Sequence, residues 1–292
     1  MTVVAPPPLP GRLRLRSIER PRSARRGFSW ARLNRSAAGQ TAQFVLLLAI
    51  LVWLTVRGAD AMGYNWQWYR IPKYLLRIQD GRLIWGPLLR GAAETLGISA
   101  WSLLLTIALG LGTAVLRLSD LLTGRVLARG YLELIRNTPM LVQLNLFYFV
   151  VAPIFGIGRY WTGVLCLAVF EGAFASEIFR AGILSVPAGQ WEASRSLGLS
   201  TYATYRKVVL PQALAIMLPP LAGLAITLVK HSSIVSVIAL WELTTAGRDI
   251  ISTTFMSFEV WFTVAAIYLV ITLLLSLLAT WLERRLAARR SS

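Results

Sequence analysis

The sequence predicts an all-α integral membrane protein of about six transmembrane helices, and three observations carry that prediction. First, 56% of the 292 residues are hydrophobic and only 15% charged, with a mean hydropathy of +0.60. Soluble domains of this length hold nearer a quarter charged residues. Second, several apolar runs approach or exceed the roughly 20 residues that cross a bilayer as helix. Third, the basic residues gather beside those runs: nine arginines in residues 12–35 and four in the last nine positions. Flanking basic charge is what orientation in a membrane requires, so the net charge of +17 reads as membrane topology and lipid proximity, and nucleic-acid binding is set aside.

Residues 1–40, "APPPLPGRLRLRSIERPRSARRG" among them, lack a helical apolar period and are expected to be a disordered basic cytoplasmic tail. Thr41–Val56, within residues 41–57, is the first span. The small-x-small triplet Ala59-Asp60-Ala61 resembles a signal-peptide cleavage site, but forty charged residues are too long a leader, so an uncleaved helix is expected. Residues 58–87 form an external loop whose Trp and Tyr residues suit an interfacial helix or aromatic belt. The remaining spans fall near 88–116, 131–153, 160–183, 211–238 and 258–282, within a core of 88–285, and 286–292 is a second cytoplasmic tail. With an inside N-terminus, the cytoplasmic segments hold nine, four, four and four of the 30 Lys and Arg, which favours both termini in the cytoplasm.

One cysteine, Cys166, and one histidine, His231, preclude an internal disulfide and a Cys- or His-rich metal cluster. No Ser/His/Asp set, carboxylate pair or phosphate loop occurs, so neither catalytic residues nor a bound cofactor or metal are expected in this chain. Ionisable groups within spans are costly and point to function. Lys230, in "LAITLVKHSSIVSVI", could meet a substrate carboxylate, with Ser232 and Ser233 beside it. It lies nineteen residues past Pro211, so a straight helix raises it roughly 28 Å, where a lysine could also snorkel; Pro219-Pro220 can kink the helix and reduce that climb. Glu94 and Glu171 could pair with a base or receive a substrate ammonium. His231, a further candidate substrate contact, could also sense pH or simply be a satisfied polar group. Glu177 and Arg180, three apart, are expected to form an intrahelical ion pair. Glycines such as Gly91 and Gly110 can let helices approach closely, but no clean small-residue stripe marks a face.

The polar segment "GQWEASRSLGLSTYATYRKVVLP" (189–211), within a coupling loop of 187–211, interrupts the apolar runs. Pro187 suits a helix start, Gly198 a helix end, and Ser200 a cap for a second short helix that should stop near Leu210-Pro211. Its spacing carries more. Glu192-Ala193-Ser194, three residues, Gly198, nine residues, Val208, one residue and Leu210-Pro211 resembles the EAA loop of ATP-binding-cassette importer permeases, with Ser194 and Val208 as mild departures. "LLRGAAETLGIS" (88–99), "YLELIRNTPMLVQLNLFYFVVAP" (131–153) and "FEGAFASEIFRAGILSVPAGQWEA" (170–193) look like the polar amino-acid subfamily, which handles glutamate, aspartate, glutamine, asparagine or L-amino acids generally.

The resemblance implies a five-helix type I importer permease core preceded by one extra helix. It implies that Glu192, Ala193, Ser194, Gly198, Leu210 and Pro211 couple to a separate ATPase. It further implies a second permease (a sister chain or a copy of this one), two cytoplasmic ATPase subunits that bind ATP and Mg, a periplasmic solute-binding protein, a polar amino-acid substrate and a bacterial inner membrane. In relatives a Lys followed by small hydroxyl residues lies near the translocation path; His231 departs from the acid or amide usual there. An ion-gradient-driven secondary amino-acid transporter is the alternative, but no inverted repeat supports it.

Overall fold

In this computed structural model, residues 37–79 and 81–288 are described, so the basic tail up to residue 36 and the last four residues lie outside them. The chain divides into two units, 1–65 and 66–292. The first contributes one described helix, α1 (Ala37–Ala61), whose apolar side chains from Phe44 to Val56 are exposed along its length. A polar solvent would not tolerate that surface, whereas lipid does.

The second unit opens with a strap that the sequence reading did not anticipate. After short helical turns at Trp68–Arg70 and Pro72–Leu75, Leu76–Gln79 (β1) pairs antiparallel with Arg82–Trp85 (β2), with Leu76 opposite Trp85. The cue was present: Asp80-Gly81 between two apolar-containing runs is a hairpin dipeptide. Upstream of the hairpin, Trp66 and Trp68 stack at 6.0 Å and lie against Phe258 and Phe262.

From the hairpin the chain enters α2 (Pro87–Leu118), with proline at its first turn, where no amide hydrogen is needed. It is followed by α3 (Leu122–Arg136), α4 (Met140–Phe155), α5 (Arg159–Leu184), the short α6 (Ala188–Ser196), α7 (Thr201–Ile238), α8 (Leu243–Thr254) and α9 (Ser257–Ala288). Among the described residues five helices are long and apolar enough to cross a membrane, α1, α2, α5, α7 and α9, and a sixth span results if α3 and α4 are taken together.

The third expected span is therefore not one helix. Asn137-Thr138-Pro139 breaks the 131–153 run, and α3 and α4 meet at 108°. Pro139 is extended at the N-cap of α4, and its ring disfavours helix at Thr138 before it, so α3 cannot run through. The carbonyls this releases are claimed by side chains: Thr138 Oγ1 donates to Leu134, and buried Gln143 Nε2 lies 2.8 Å from the Ile135 carbonyl and 2.7 Å from Thr138 Oγ1. Gln143→Leu is expected to destabilise the protein by about 1–3 kcal/mol, the cost of leaving buried acceptors unpaired, read as a lower melting temperature in detergent.

α7 also differs from expectation. Its opening turn, capped by Ser200 Oγ, does not stop at Leu210-Pro211. A π-helical turn at Tyr205–Val209 widens the backbone just before Pro211, where a proline ring would crowd the preceding turn, and the helix runs on. Nor do Pro219-Pro220 interrupt it; both sit on the exposed side, and α-helix persists to His231 before tightening to a 3-10 helix at Ser232–Ile238.

The core lies where α2 crosses α5. A stripe of buried small residues, Gly91, Thr95, Ser99, Ser102, Thr106, Gly110 and Ala114, runs the length of α2, spaced three or four apart. α5 is the most enclosed span, with 67% of its apolar window buried. Small faces let backbones approach and convert dispersion contact into adhesion where no hydrophobic effect operates between lipid-soluble helices. In the sequence this stripe does not stand out as a run of Gly and Ala, because four of its members are Ser or Thr.

Candidate coupling and translocation site

α6 begins after Pro187 and closes at Gly198, whose φ of +70° is the left-handed conformation that favours glycine. The Leu199 amide reaches back to the Ser194 carbonyl at 3.1 Å and the Gly198 amide to Arg195 at 2.9 Å, the Schellman pattern that satisfies terminal carbonyls. Trp191 packs edge-on against Tyr205 of α7, with ring centroids 5.2 Å apart. Ser194 is buried and donates to the Gln190 carbonyl at 2.7 Å. The helix is thus held from beneath by Trp191 and Ser194, while Glu192, Ala193, Leu197 and Gly198 face outward. Leu197 is 77% exposed, an apolar side chain offered at the tip. Of the six motif positions, three are presented by the loop, Ser194 is turned inward, and Leu210 and Pro211 lie exposed on the membrane helix itself.

Glu177 is not chiefly the partner of Arg180. Its Oε1 lies 2.8 Å from Arg117 Nη1 of α2 and 3.3 Å from Arg136 Nη1 of α3, whereas the intrahelical Arg180 is 3.9 Å away. The convergence of the ends of α2 and α3 on α5 brings the distant arginines closer than the neighbour in sequence. The contacts with Arg136 and Arg180 are partly exposed, so each is worth about 0–1 kcal/mol, while Arg117 is the more enclosed partner.

On the adjoining face, a cavity of about 500 Å³ is lined by Glu171, Glu177, Arg136, Phe170, Thr227 and His231, among others. Glu171 is buried, and its Oε1 stands 2.5 Å from His231 Nδ1. Two of the six candidate substrate residues are therefore joined to each other inside one cavity. The other four do not line it. Lys230 is exposed; Ser232 is buried and donates to the Val229 carbonyl; Ser233 donates to the Lys230 carbonyl; Glu94 is exposed on α2.

The sequence reading missed Glu242, which is fully buried where α2, α8 and α9 meet. It caps α8 by accepting from the Thr244 and Thr245 amides, both at 2.7 Å, and also accepts from Thr245 Oγ1 and the Tyr268 hydroxyl. Burial pushes its carboxyl above the ordinary carboxylate range, against the pull of those bonds. A lone acid opening "ELTTAG" after an apolar run was the available cue. Glu242→Ala is expected to cost about 2–3 kcal/mol, by loss of the cap and by leaving donors unpaired. Because the folded-state value is raised, the stability Glu242 contributes is full below the ordinary carboxylate range and falls as pH rises through the raised value. Melting temperatures of Glu242→Gln should lack that decline.

Comparison with known proteins accords with this geometry. Residues 107–288 match the family described as binding-protein-dependent transport system inner membrane component. The chain is 38% identical over 202 residues to the glutamine transport system permease protein GlnP of Escherichia coli (strain K12), covering 68% of this chain and 92% of that protein. It is 35% identical over 217 residues to the nopaline transport system permease protein NocM of Agrobacterium fabrum, covering 69% and 90%. A crystal structure of an amino acid ABC transporter with histidines superposes with a TM-score of 0.64 at 39% identity, over 68% of this chain and 93% of that one. These matches leave the ion-gradient alternative without support: the chain belongs to the family of binding-protein-dependent transport system inner membrane components, the permeases of ABC importers.

Proposed function

We propose that this chain is the permease subunit of an importer for polar L-amino acids, acidic amino acids and their amides foremost. It performs no hydrolysis; two partner ATPases bind ATP and Mg and drive it. The observation that carries this reading is α6: a short helix fastened from below, with Glu192, Ala193 and Leu197 exposed at one end of the bundle. Such a rigid peg transmits the movement of a partner without absorbing it. The relative named for glutamine and the amino acid transporter structure support the substrate class.

The cavity beside α5 is the candidate translocation path. This chain walls it with residues of α3, α5 and α7, and a second permease would supply the opposite wall. Glu171 and His231 are placed to meet a substrate's ammonium and carboxylate in turn, ahead of Lys230, whose neighbouring hydroxyls are engaged with their own helix. The excess of basic residues on the α6 side favours that side, and both termini, in the cytoplasm of a bacterial inner membrane, with a periplasmic binding protein opposite.

The test is reconstitution of the chain in liposomes with its cognate ATPase and binding protein. Uptake of labelled glutamine or glutamate should require ATP on the α6 side and the binding protein on the other. Uptake driven by an ion gradient with no ATPase present would overturn the reading.

A further inference from the structure

Four arginines converge on a separate cavity of about 230 Å³ at the α6 end of the bundle. Arg117 comes from the end of α2, Arg125 and Arg129 from successive turns of α3, and Arg180 from α5, with Leu118 completing the lining. Leu118 packs in the same apolar cluster as Trp191 of α6, which fixes the end of the bundle concerned.

The charges there do not balance. Among the described residues the acid that meets the cluster is Glu177, and it is shared between Arg117, Arg180 and Arg136 outside the cavity. The other contact is a neutral one, Arg125 Nη2 to the Asp120 carbonyl at 3.3 Å. Arg117 Nη1, close to Glu177 but off the line of a hydrogen bond, and Arg125 Nε are each buried without a hydrogen-bond acceptor among the described residues. An arginine cannot escape such a site by losing its proton. With two of these guanidinium nitrogens shielded from water and two further cations beside them, the cluster needs an anion to hold it together.

We propose that this arginine cage binds a phosphate group, carried by an anionic phospholipid headgroup or by free phosphate. Guanidinium forks match phosphate oxygens in pairs, and a phosphate spreads its oxygens around one centre, so several forks arriving from three helices can each find an edge. A carboxylate offers two oxygens in a single plane and suits one fork. Basic pockets between helix ends are where lipid phosphates lodge. The proposal stands independently of the importer reading, since it uses only the placement of the arginines.

The test is native mass spectrometry of the purified full-length chain titrated with phosphatidylglycerol or phosphatidylcholine. In parallel, thermal unfolding is followed in millimolar phosphate or in chloride of equal ionic strength. The wild-type chain should prefer phosphatidylglycerol, or melt higher in phosphate, and Arg125→Gln/Arg129→Gln should weaken that preference by about 25-fold, about fivefold per arginine. Arg77→Gln/Arg82→Gln, on the hairpin, should leave it unchanged. A lipid preference that millimolar phosphate does not displace assigns the site to a headgroup; a phosphate-specific rise in melting temperature that the double variant loses assigns it to the free ion. Should the double variant fail to fold, Arg129→Gln alone, at an exposed position, should still show the fivefold loss. A wild-type chain with neither preference, or variants that retain it in full, would overturn the proposal.

Discussion

Substituting Glu192→Lys together with Gly198→Val is expected to lower substrate-stimulated ATP hydrolysis by the assembled transporter at least about tenfold, while the chain remains folded in the membrane. The two changes act on different links. At Gly198 a Cβ would meet nothing within 4 Å, so crowding contributes no cost. The cost is the φ of +70°, which a β-branched residue adopts only with about 1–2 kcal/mol of strain or more. The Schellman bonds from Leu199 and Gly198 then loosen, and the end of α6 that carries Leu197 loses its fixed direction. Glu192 contributes through charge. Its carboxylate is exposed and has no side-chain partner among the described residues, so reversing it disturbs nothing within the chain but opposes any basic surface on the partner. Removing or reversing a charge at a desolvated contact costs about 2–5 kcal/mol of association, enough for the tenfold effect. Assayed singly, Gly198→Val should give a partial loss and Glu192→Lys most of it. Full stimulation in the double variant would mean that α6 is not the coupling element.

The sequence disclosed those features that depend on neighbours in the chain and concealed those that depend on helices meeting. Spans were legible from hydropathy, and the loop's punctuation from Pro187, Gly198 and Ser200, because each acts on its own turn. The break at Asn137-Thr138-Pro139 was signalled by its proline, yet the apolar residues that resume at Met140 let the run pass as one span, and its repair by Gln143 needs a fold-back that no periodicity displays. At Leu210-Pro211 proline was expected to end a helix; a preceding π turn let it continue, a backbone choice for which "YRKVV" bears no mark. Glu177 was assigned the arginine three residues away because that partner is visible in one dimension, whereas Arg117, sixty positions earlier, becomes the nearest only when α2 and α5 lie together. The Glu171–His231 pair was out of reach for the same reason, though both residues had been singled out as polar groups in apolar runs.

That packing of α2 on α5 is the ground for the second large effect. Gly110→Leu should prevent stable folding, with a loss of about 3 kcal/mol or more, seen as aggregation on detergent extraction or a collapse of the melting temperature. A Cβ built on Gly110 falls against the Cβ of Ala175 and the backbone nitrogen of Ser176. Ala175 is fully buried and Ser176 is held in the backbone of α5, so neither can swing aside as a long side chain would. The helices must separate, and separation withdraws contact along the part of the stripe that faces α5, including the bond from Ser102 Oγ to the Val164 carbonyl. Gly110→Ala carries the same first atom without the rest and should cost less, about 1–3 kcal/mol. The pair Gly110→Ala/Ala175→Gly moves one methyl across the contact and should recover much of that loss, since the overlap is chiefly between the two Cβ positions. A Gly110→Ala chain that melts like wild type, or one that Ala175→Gly fails to rescue, would show that the spacing of these helices is set elsewhere along the stripe.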